Sequence, residues 1–228
     1  KNNKMKPKYI YLFKRLLYFI YGEKFYKRLP YDWKIYPSRT EIIKKIINYK
    51  KYKTYLEIGC DLDENFLKID LTDKIGVDPK SGGTHRMTSD KFFANNKKKF
   101  DFIYIDGLHT YEQTINDIKN SLDYLNEDGI ILLHDCLPKK IWNQIVPRIY
   151  GHWNGDVWKA IVETRTKKNL DTLTIIADHG LGLIRKRKNS NILKDQIINF
   201  KKLKFADYYK KHQDYMNPVH YKDLFKFI

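Results

Sequence analysis

Two carboxylates and two histidines stand at the ends of two strand-like segments of the sequence. The segment "DFIYID" ends at Asp106, and His109 follows shortly after it; the segment "GIILLHD" ends in His134 and Asp135. Adjacent parallel strands would bring these ends together at one edge of a sheet. Two kinds of chemistry then fit the cluster. Either His109 or His134 acts as a general base that the aspartates orient, or Asp106 and Asp135 bind a Mg²⁺-like ion that lowers the pKa of a hydroxyl group.

The segments that must position these residues alternate short apolar runs with amphipathic stretches. Between the third and fourth runs, Ile115, Ile118 and Leu122 recur at helical spacing, which predicts a parallel sheet with a crossover helix. The last two runs are joined by so short a turn that they must pair antiparallel. The strand-like runs are 54–59, 74–78, 101–106, 129–135, 173–178 and 180–187.

Helical segments flank this central region. The stretch 9–21, "YIYLFKRLLYFIY", is apolar around most of a helix. It predicts a helix packed on its own domain or on a dimer partner, or a helix at an anionic membrane surface. Ser38 and Glu41 predict a capping box at the start of a second helix, and residues 190–228 are predicted to be mostly helical. We expect a basic helical extension over 1–50, a central domain over 51–188 and a helical extension over 189–228.

The formal net charge of +17 is concentrated at the two ends of the chain. It amounts to +13 over residues 1–53, −4 over residues 54–184 and +8 over residues 185–228. A slightly acidic middle argues against a central domain that binds a phosphate backbone. Nucleic acid is therefore not the expected partner.

The cysteines and the apolar runs bear on location. Cys60 and Cys136 each lie in or beside an apolar run, which is typical of a reduced, cytoplasmic protein rather than of a disulfide scaffold. No apolar stretch approaches the roughly 20 residues of a membrane span. The stretch 9–21 is interrupted by Lys14 and Arg15 and has no small-residue cleavage site, so a signal peptide is not expected.

Acidic residues also end the first two strand-like runs, Glu57 with Gly59 in "LEIGC" and Asp78 in "GVDP". Over residues 54–187 these features resemble the class I S-adenosylmethionine-dependent methyltransferases. "LEIGC" is similar to their first motif, "GVDP" to the acidic end of their second strand, and "TSDKFF" to the segment that contacts adenine. "FDFIYIDGLHTYE" and "GIILLHDC" resemble the small-molecule O-methyltransferases of methyltransferase family 24, a subgroup associated with glycan and antibiotic-sugar modification.

The resemblance implies a fold and a cofactor. The fold would be an α/β, Rossmann-like, doubly wound sheet of seven strands in the order 3-2-1-4-5-7-6, mostly parallel with a C-terminal antiparallel hairpin. S-adenosylmethionine carries no phosphate, so Gly59 alone would suffice where a dinucleotide loop needs G-x-G-x-x-G. Asp78 would accept the ribose hydroxyls or else cap a helix, and Glu57 would lie near the methionine amino group or form an ion pair. The implied cofactor residues are Glu57, Gly59, Asp78, Ser89, Asp90 and Asp106.

Two further segments are candidates for contact with substrate. "GGTHRM" supplies His85 and Arg86, which would border the substrate pocket or anchor the methionine carboxylate. "YGHWNGDVWK" supplies Trp153, Asn154 and Asp156. Its aromatic rings would stack on the face of a sugar or pack beneath the following helix.

The favoured function is transfer of a methyl group to a hydroxyl of a small saccharide-like acceptor, a glycan or a nucleotide sugar. Asp106, His109 and His134 would be catalytic, with or without Mg²⁺ on Asp106 and Asp135; the neighbouring Cys136 is a poor ligand for a hard cation. A nucleic-acid methyltransferase is the alternative, but "IDGLH" stands where such enzymes have an "NPPY"-like tetrapeptide. A further alternative is a non-catalytic scaffold that docks on a membrane or a partner through its basic ends.

Overall fold

The helices and strands follow the alternating order that the apolar pattern predicts. The structure, a computed structural model, describes residues 7–23, 27–149 and 151–228. Within these residues the helices are α1 (Pro7–Tyr21), α2 (Arg39–Lys50), α3 (Ser89–Asn95), α4 (Tyr111–Asp123), α5 (Ile141–Gln144), α6 (Trp158–Arg165), α7 (Phe205–Lys210) and α8 (His212–Met216). The strands are β1 (Thr54–Ile58), β2 (Asp73–Val77), β3 (Phe100–Ile105), β4 (Leu125–Leu133), β5 (Asp171–Ile176), β6 (Leu181–Arg185) and β7 (Pro218–His220).

The strands of the described residues form one seven-stranded sheet in the order β2-β1-β3-β4-β6-β5-β7. β1 to β4 pair in parallel, and β6 runs antiparallel to both β4 and β5. The predicted α/β, Rossmann-like architecture, mostly parallel with an antiparallel hairpin, is therefore confirmed. Because β1, β3 and β4 are neighbours, the polar residues that follow them lie along one edge of the sheet.

The position of the seventh strand differs from the predicted order. The expected strand beyond β2 is absent from the described residues, where the chain after β2 forms only an isolated bridge between Val77 and His85. Gly82 and Gly83, with φ values of +64° and +65°, fold this segment back on β2 and leave no length for another strand. The seventh strand is instead β7 at the opposite edge, where it pairs in parallel with β5.

The C-terminal region is less helical than predicted. Residues 188–199 form neither helix nor strand. A short 3-10 turn, α7 and α8 then precede β7, and a second 3-10 turn follows it. Arg165 explains the extended course, because its backbone oxygen accepts from the Leu193 N–H (2.9 Å) and its guanidinium donates to the Asn191 carbonyl oxygen (2.7 Å). These contacts hold the segment against α6.

Helix α2 packs on one face of the sheet. Ser38 and Glu41 form the predicted capping box. The buried side chains of α2 are Ile42, Ile43, Ile46 and Ile47, and they share a core with sheet residues such as Tyr55 and Phe102. Helices α4 and α6 contribute to the core on the other face. The region predicted as an N-terminal extension thus supplies one of the helices that cover the sheet.

The structure also bears on the two cysteines and on the search for a membrane-spanning segment. Cys60 and Cys136 are both buried, and both are free thiols. Among the described residues, every helix is too short or too polar to cross a lipid bilayer.

Candidate active site

The turn after β1 depends on a glycine. Gly59 has a φ of +87°, and a Cβ at this position would lie 2.2 Å from the carbonyl oxygen of Asp106. Only a residue without a side chain lets the backbone after β1 approach the backbone after β3 this closely. The Gly59 N–H donates to the carbonyl oxygen of Val77 (2.9 Å), which also ties the turn to β2.

Two aspartates take the places where a phosphate-binding turn would have further glycines. Asp61 and Asp63 have φ values of +45° and +63°. Aspartate is one of the few residues with a side chain that adopts the left-handed backbone at modest cost. The Asp63 carboxylate accepts from the Gly83 N–H (2.6 Å), and the Asp61 N–H donates to the Asp78 carboxylate (3.1 Å). The loop is therefore fastened to the turn after β2.

A cavity of about 420 Å³ opens at the carboxyl ends of β1, β2 and β3. Ile58, Val77 and Leu108 give it apolar walls, whereas Asp78 and Asp117 contribute carboxylates. Its volume lies within the range of about 300–1,000 Å³ that is usual for small-molecule sites. The predicted cofactor residues that line it are Gly59, Asp78, Ser89, Asp90 and Asp106.

Asp78 anchors one end of this cavity. Its Oδ1 accepts hydrogen bonds from the N–H groups of Lys80 (2.7 Å) and Ser81 (3.0 Å). Burial opposes ionisation, but these donors and the Asp61 N–H hold the pKa of Asp78 below its ordinary value. A carboxylate has more than one lone pair on each oxygen, so Asp78 can still accept hydroxyl groups from the cavity.

The opposite wall is formed by the start of α3 and by α4. Ser89 Oγ donates to Asp117 Oδ1 (2.6 Å), and burial raises the pKa of Asp117 to about 6. The N-cap of α3 is Thr88, whose side chain accepts from the Lys91 N–H, so Asp90 does not cap the helix and lines the cavity instead. Asp117 is not among the predicted site residues, because a lone carboxylate within an amphipathic helix belongs to no motif.

A second cavity, of about 270 Å³, shares the β1 turn with the first. Glu57 stands in its wall, where the Tyr55 hydroxyl and the Asn65 side-chain amide (2.8 Å) donate to the Glu57 carboxyl group. Burial raises the pKa of Glu57 to about 7. A cationic group that enters this cavity would favour the ionised form of Glu57.

Asp106, His109, His134 and Asp135 meet in the wall of the second cavity. Asp106 Oδ1 lies 3.2 Å from His109 Nε2 and 3.2 Å from His134 Nδ1. Asp135 Oδ2 lies 3.2 Å from His109 Nδ1 and 3.7 Å from His134 Nδ1. The parallel pairing of β3 and β4 thus brings together the side chains that the sequence analysis placed at their ends.

Two residues outside the predicted set complete this cluster. Asp178, in the turn between β5 and β6, has its Oδ1 3.4 Å from His134 Nε2. Arg39, at the start of α2, donates its backbone N–H to Asp178 Oδ2 (2.7 Å), and its guanidinium lies 3.3 Å from His134 Nε2 and 3.9 Å from Asp106 Oδ2. Arg39 and Asp178 come from a helix start and a hairpin turn, and no local pattern relates either segment to the ends of β3 and β4.

The loop before α6 supplies Trp153 and Asn154 to the same cluster. Asn154 Nδ2 donates to Asp135 Oδ1 (2.7 Å). The Trp153 ring stacks on the His109 ring, with centroids 5.4 Å apart and planes 24° apart, and the Trp153 carbonyl oxygen lies 3.2 Å from His109 Nδ1. These contacts fix the orientation of the His109 ring.

The carboxylates set the charge of the two imidazoles. Burial opposes protonation of His134, but Asp106, Asp135 and Asp178 raise its pKa well above the ordinary value. Burial also opposes ionisation of Asp106, yet the two histidines hold its pKa well below the usual range. Asp106 and Asp135 outweigh burial at His109 and raise its pKa too. The side chain of His109 is 20% exposed and that of His134 is 6% exposed, so His109 is the more accessible imidazole.

Asp106, His134 and Asp135 also have the spacing of a metal site. Each offers one ligand atom, and these atoms lie within 4.8 Å of one another. The residues therefore fit a divalent cation, and His134 joins the two aspartates that the sequence analysis selected. An imidazole among the donors suits Mn²⁺ or Zn²⁺ better than Mg²⁺, which prefers oxygen ligands.

His85, Arg86 and Asp156 line neither cavity. His85 forms the bridge to β2, and the Arg86 guanidinium lies 3.4 Å from the carbonyl oxygen of Asp78. Asp156 Oδ1 accepts from the Tyr111 N–H (2.7 Å), the first residue of α4. Of the residues predicted to contact substrate, Trp153 and Asn154 do meet the cluster around Asp106: Trp153 contacts His109, and Asn154 donates to Asp135.

Comparison with known proteins gives the same picture of the fold. A family model described as a methyltransferase domain matches residues 58–136. No curated protein matches the chain. The S-adenosylhomocysteine-bound methyltransferase PaMTH1 of Podospora anserina is similar in structure, with a TM-score of 0.53, 18% identity and coverage of 80% of this chain and 88% of that chain. A candidate caffeoyl-CoA O-methyltransferase from Staphylococcus aureus has a TM-score of 0.50, 13% identity and coverage of 81% and 93%. At these identities the structural likeness establishes the fold.

Proposed function

We propose that this chain is a class I S-adenosylmethionine-dependent methyltransferase that transfers the methyl group to a hydroxyl oxygen of a small saccharide-like acceptor. The observation that carries the proposal is the convergence of Asp106, His109 and Asp135 in a cavity that continues from the Gly59 turn. Transfer to oxygen requires a group that removes the hydroxyl proton, and an imidazole between two carboxylates is such a group.

The two connected cavities suit a molecule with a nucleoside end and an amino-acid end. In the larger cavity, Asp78 would accept the ribose hydroxyls, and Ser89 and Asp90 would border the adenine. In the smaller one, the Glu57 carboxylate would face the methionine amino group. When bound, S-adenosylmethionine supplies an electrophilic methyl group on its sulfonium. The Gly59 turn, which lines both cavities, would pass alongside it.

His109 is the residue that we assign as the general base. Asp106 and Asp135 hold its ring on two sides, and Trp153 stacks on one face. In its neutral form His109 would take the hydroxyl proton of the acceptor, whose oxygen would then receive the methyl group that bound S-adenosylmethionine supplies. His134, which the surrounding carboxylates keep protonated, balances their charge and holds Asp106 in place. In the alternative arrangement His134 would be deprotonated, and Asp106, His134 and Asp135 would hold a divalent cation that takes the place of the positive imidazole and supplies Lewis-acid stabilisation of the alkoxide.

The acceptor class rests on the loop before α6. The partly exposed Trp153 ring offers a flat apolar surface, and the His109 imidazole, on which it stacks, lines the smaller cavity. An aromatic plane next to hydrogen-bonding groups suits a sugar ring, whose faces carry C–H groups and whose rim carries hydroxyls. The acceptor would be a nucleotide sugar or a short glycan.

The test is an acceptor screen with purified protein, S-adenosylmethionine and a panel of nucleotide sugars and oligosaccharides. S-adenosylhomocysteine formation and a methyl mass gain on one hydroxyl of the acceptor are the expected readouts. His109→Ala should lower kcat at least about 100-fold, which is the usual contribution of a general base. His85→Ala is the matched control, since His85 lines neither cavity, and it should retain the wild-type rate. Full activity of His109→Ala, or a methyl group found on nitrogen, would contradict the proposal.

A further inference from the structure

Helix α1 presents an apolar face to solvent. The apolar face of α1 is defined here by Tyr9, Leu12, Phe13, Leu16, Leu17 and Ile20. These side chains are between 38% and 57% exposed. Their spacing of three and four residues places them along one side of the helix. An exposed apolar surface of this kind on a monomer marks an interaction site.

The opposite side of α1 contacts the rest of the protein. The Tyr18 ring meets the Trp142 ring edge-on at a centroid distance of 5.6 Å, and the Arg15 guanidinium lies 4.8 Å from the centre of the same ring. Just after α1, the Glu23 carboxylate accepts from the backbone N–H groups of Phe205 (2.8 Å) and Ala206. The helix is therefore fastened along the side that carries Tyr18 and Arg15. Leu12 and Leu16 border a groove against Trp142, and the apolar face as a whole stays exposed.

The charge around α1 decides between the candidate occupants. The helix contains Lys8, Lys14 and Arg15 and no acidic residue, and residues 1–53 carry a net charge of +13. A second copy of the chain would bring two such cationic segments together. An anionic lipid surface offers apolar chains to the leucine and phenylalanine side chains and negative headgroups to the lysines.

The length of α1 sets how it would lie. Its 15 residues span about 22 Å, which is shorter than the roughly 30 Å of a bilayer core. The helix would therefore lie in the plane of the membrane, with its apolar face at the level of the acyl chains. Lys14 would extend its charged end towards the headgroups.

We propose that the apolar face of α1 docks this protein on an anionic membrane surface. The occupant is the lipid itself, recognised by apolar insertion together with the positive charge of the N-terminal region. The proposal does not depend on methyl transfer, because binding to lipid is measured without cofactor or acceptor.

Vesicle sedimentation tests the docking surface. Full-length protein is mixed with vesicles of phosphatidylcholine alone and with vesicles that also contain phosphatidylserine. We expect binding to the anionic vesicles, and at least a tenfold loss of affinity in the double variant Leu16→Ser/Ile20→Ser. Lys14→Glu should weaken binding to anionic vesicles while it leaves the apolar face intact. Leu67→Ser is the matched control, because Leu67 is 71% exposed in the segment between β1 and β2, and it should bind like wild type.

The other occupants are distinguishable outcomes. If wild type fails to sediment with either vesicle, the proposal is overturned, and gel filtration shows whether a second copy covers the face instead. A dimer that Leu16→Ser/Ile20→Ser converts to monomer would assign the surface to self-association. Equal sedimentation of wild type and the double variant would also overturn the proposal, since the apolar face would then play no part. Circular dichroism of each variant confirms that the fold is retained.

Discussion

The Oδ1 atom of Asp178 lies 3.4 Å from Nε2 of His134. On the other side of the ring, His134 Nδ1 lies 3.2 Å from Asp106 Oδ1. The carboxylates around the ring raise the pKa of His134 well above its ordinary value, although the Arg39 guanidinium also lies 3.3 Å from Nε2. His134 therefore neutralises buried negative charge and is not available to accept a proton from an acceptor hydroxyl. His109 also has a carboxylate at each nitrogen and a raised pKa, but its side chain is 20% exposed against 6% for His134, and this accessibility is the ground on which we assign His109 as the base in the proposed reaction.

Asp178→Asn tests this division of roles. The substitution removes the carboxylate at Nε2, so His134 should lose part of its charge and Asp106 part of its orientation. We expect kcat to fall about tenfold or more, because small displacements of catalytic groups have large effects on rate. The affinity for S-adenosylhomocysteine should stay within about twofold, since Asp178 lines neither cavity. Asp223→Asn, which alters an exposed carboxylate paired with Lys226, is the control. An unchanged kcat in Asp178→Asn would show that His134 needs no partner at Nε2.

Glu57 should make cofactor binding depend on pH. Its pKa of about 7 in the ligand-free fold means that the carboxyl group is largely protonated at about pH 6 and largely ionised at about pH 8. A cationic amino group binds the ionised form. The apparent affinity for S-adenosylhomocysteine should therefore rise about tenfold over this interval, in proportion to the ionised fraction. Titration calorimetry in buffers at the two pH values measures the change.

Glu57→Gln is the control for that titration. Glutamine cannot ionise, so the variant should bind weakly with little dependence on pH. The raised pKa of Glu57 also makes the stability of the ligand-free protein depend on pH. Because folding raises the pKa of Glu57 from an ordinary 4.5 to about 7, its stabilising contribution is fully present below about pH 4.5 and is lost as the pH rises through 7. A wild-type affinity that falls as the pH rises would contradict this assignment of Glu57.

Local patterns in the sequence were sufficient for much of the fold. The capping box at Ser38 and Glu41, the helical spacing of α4 and the short hairpin turn each involve residues close in sequence, and the structure has all three. Strand ends were also readable, because an apolar run that stops at a polar residue marks the edge of a sheet. This explains why Gly59, Asp78 and Asp106 could be selected before the structure was known.

Contacts between distant segments were not readable in the same way. Arg39 and Asp178 are far apart in sequence and reach His134 only because α2 and the β5–β6 turn lie at the same edge of the sheet. The edge strand β7 is three residues long and begins at Pro218, so no periodic pattern predicts it. The Gly82–Gly83 turn removed the expected strand beyond β2 by folding the chain back at once. In each case tertiary pairing, rather than local preference, determined the outcome.

Gly59→Ala should disrupt the cleft. A methyl group at this position would lie 2.2 Å from the Asp106 carbonyl oxygen, and alanine also disfavours a φ of +87°. We expect a loss of about 3 kcal/mol or more in the free energy of unfolding, together with loss of S-adenosylhomocysteine binding. Gly151→Ala is the matched control. Its φ is +72°, but its Cβ would meet nothing within 4 Å, so it should cost only the backbone strain of about 1–2 kcal/mol. Equal losses in the two variants would contradict the close approach of the turn to β3.

Asp63 tests how aspartates replace glycines in the turn after β1. Asp63→Ala removes the hydrogen bond to the Gly83 N–H and leaves an alanine at a φ of +63°. Asp63→Gly removes the same hydrogen bond, but glycine adopts this backbone without strain. Urea unfolding should therefore show a loss of about 2 kcal/mol for the alanine variant and about 1 kcal/mol for the glycine variant. The glycine variant should also keep more of the S-adenosylhomocysteine affinity, because the turn retains its course. If alanine proves no more destabilising than glycine, the left-handed backbone at Asp63 is not what the sequence selects, and the hydrogen bond to Gly83 alone accounts for the aspartate.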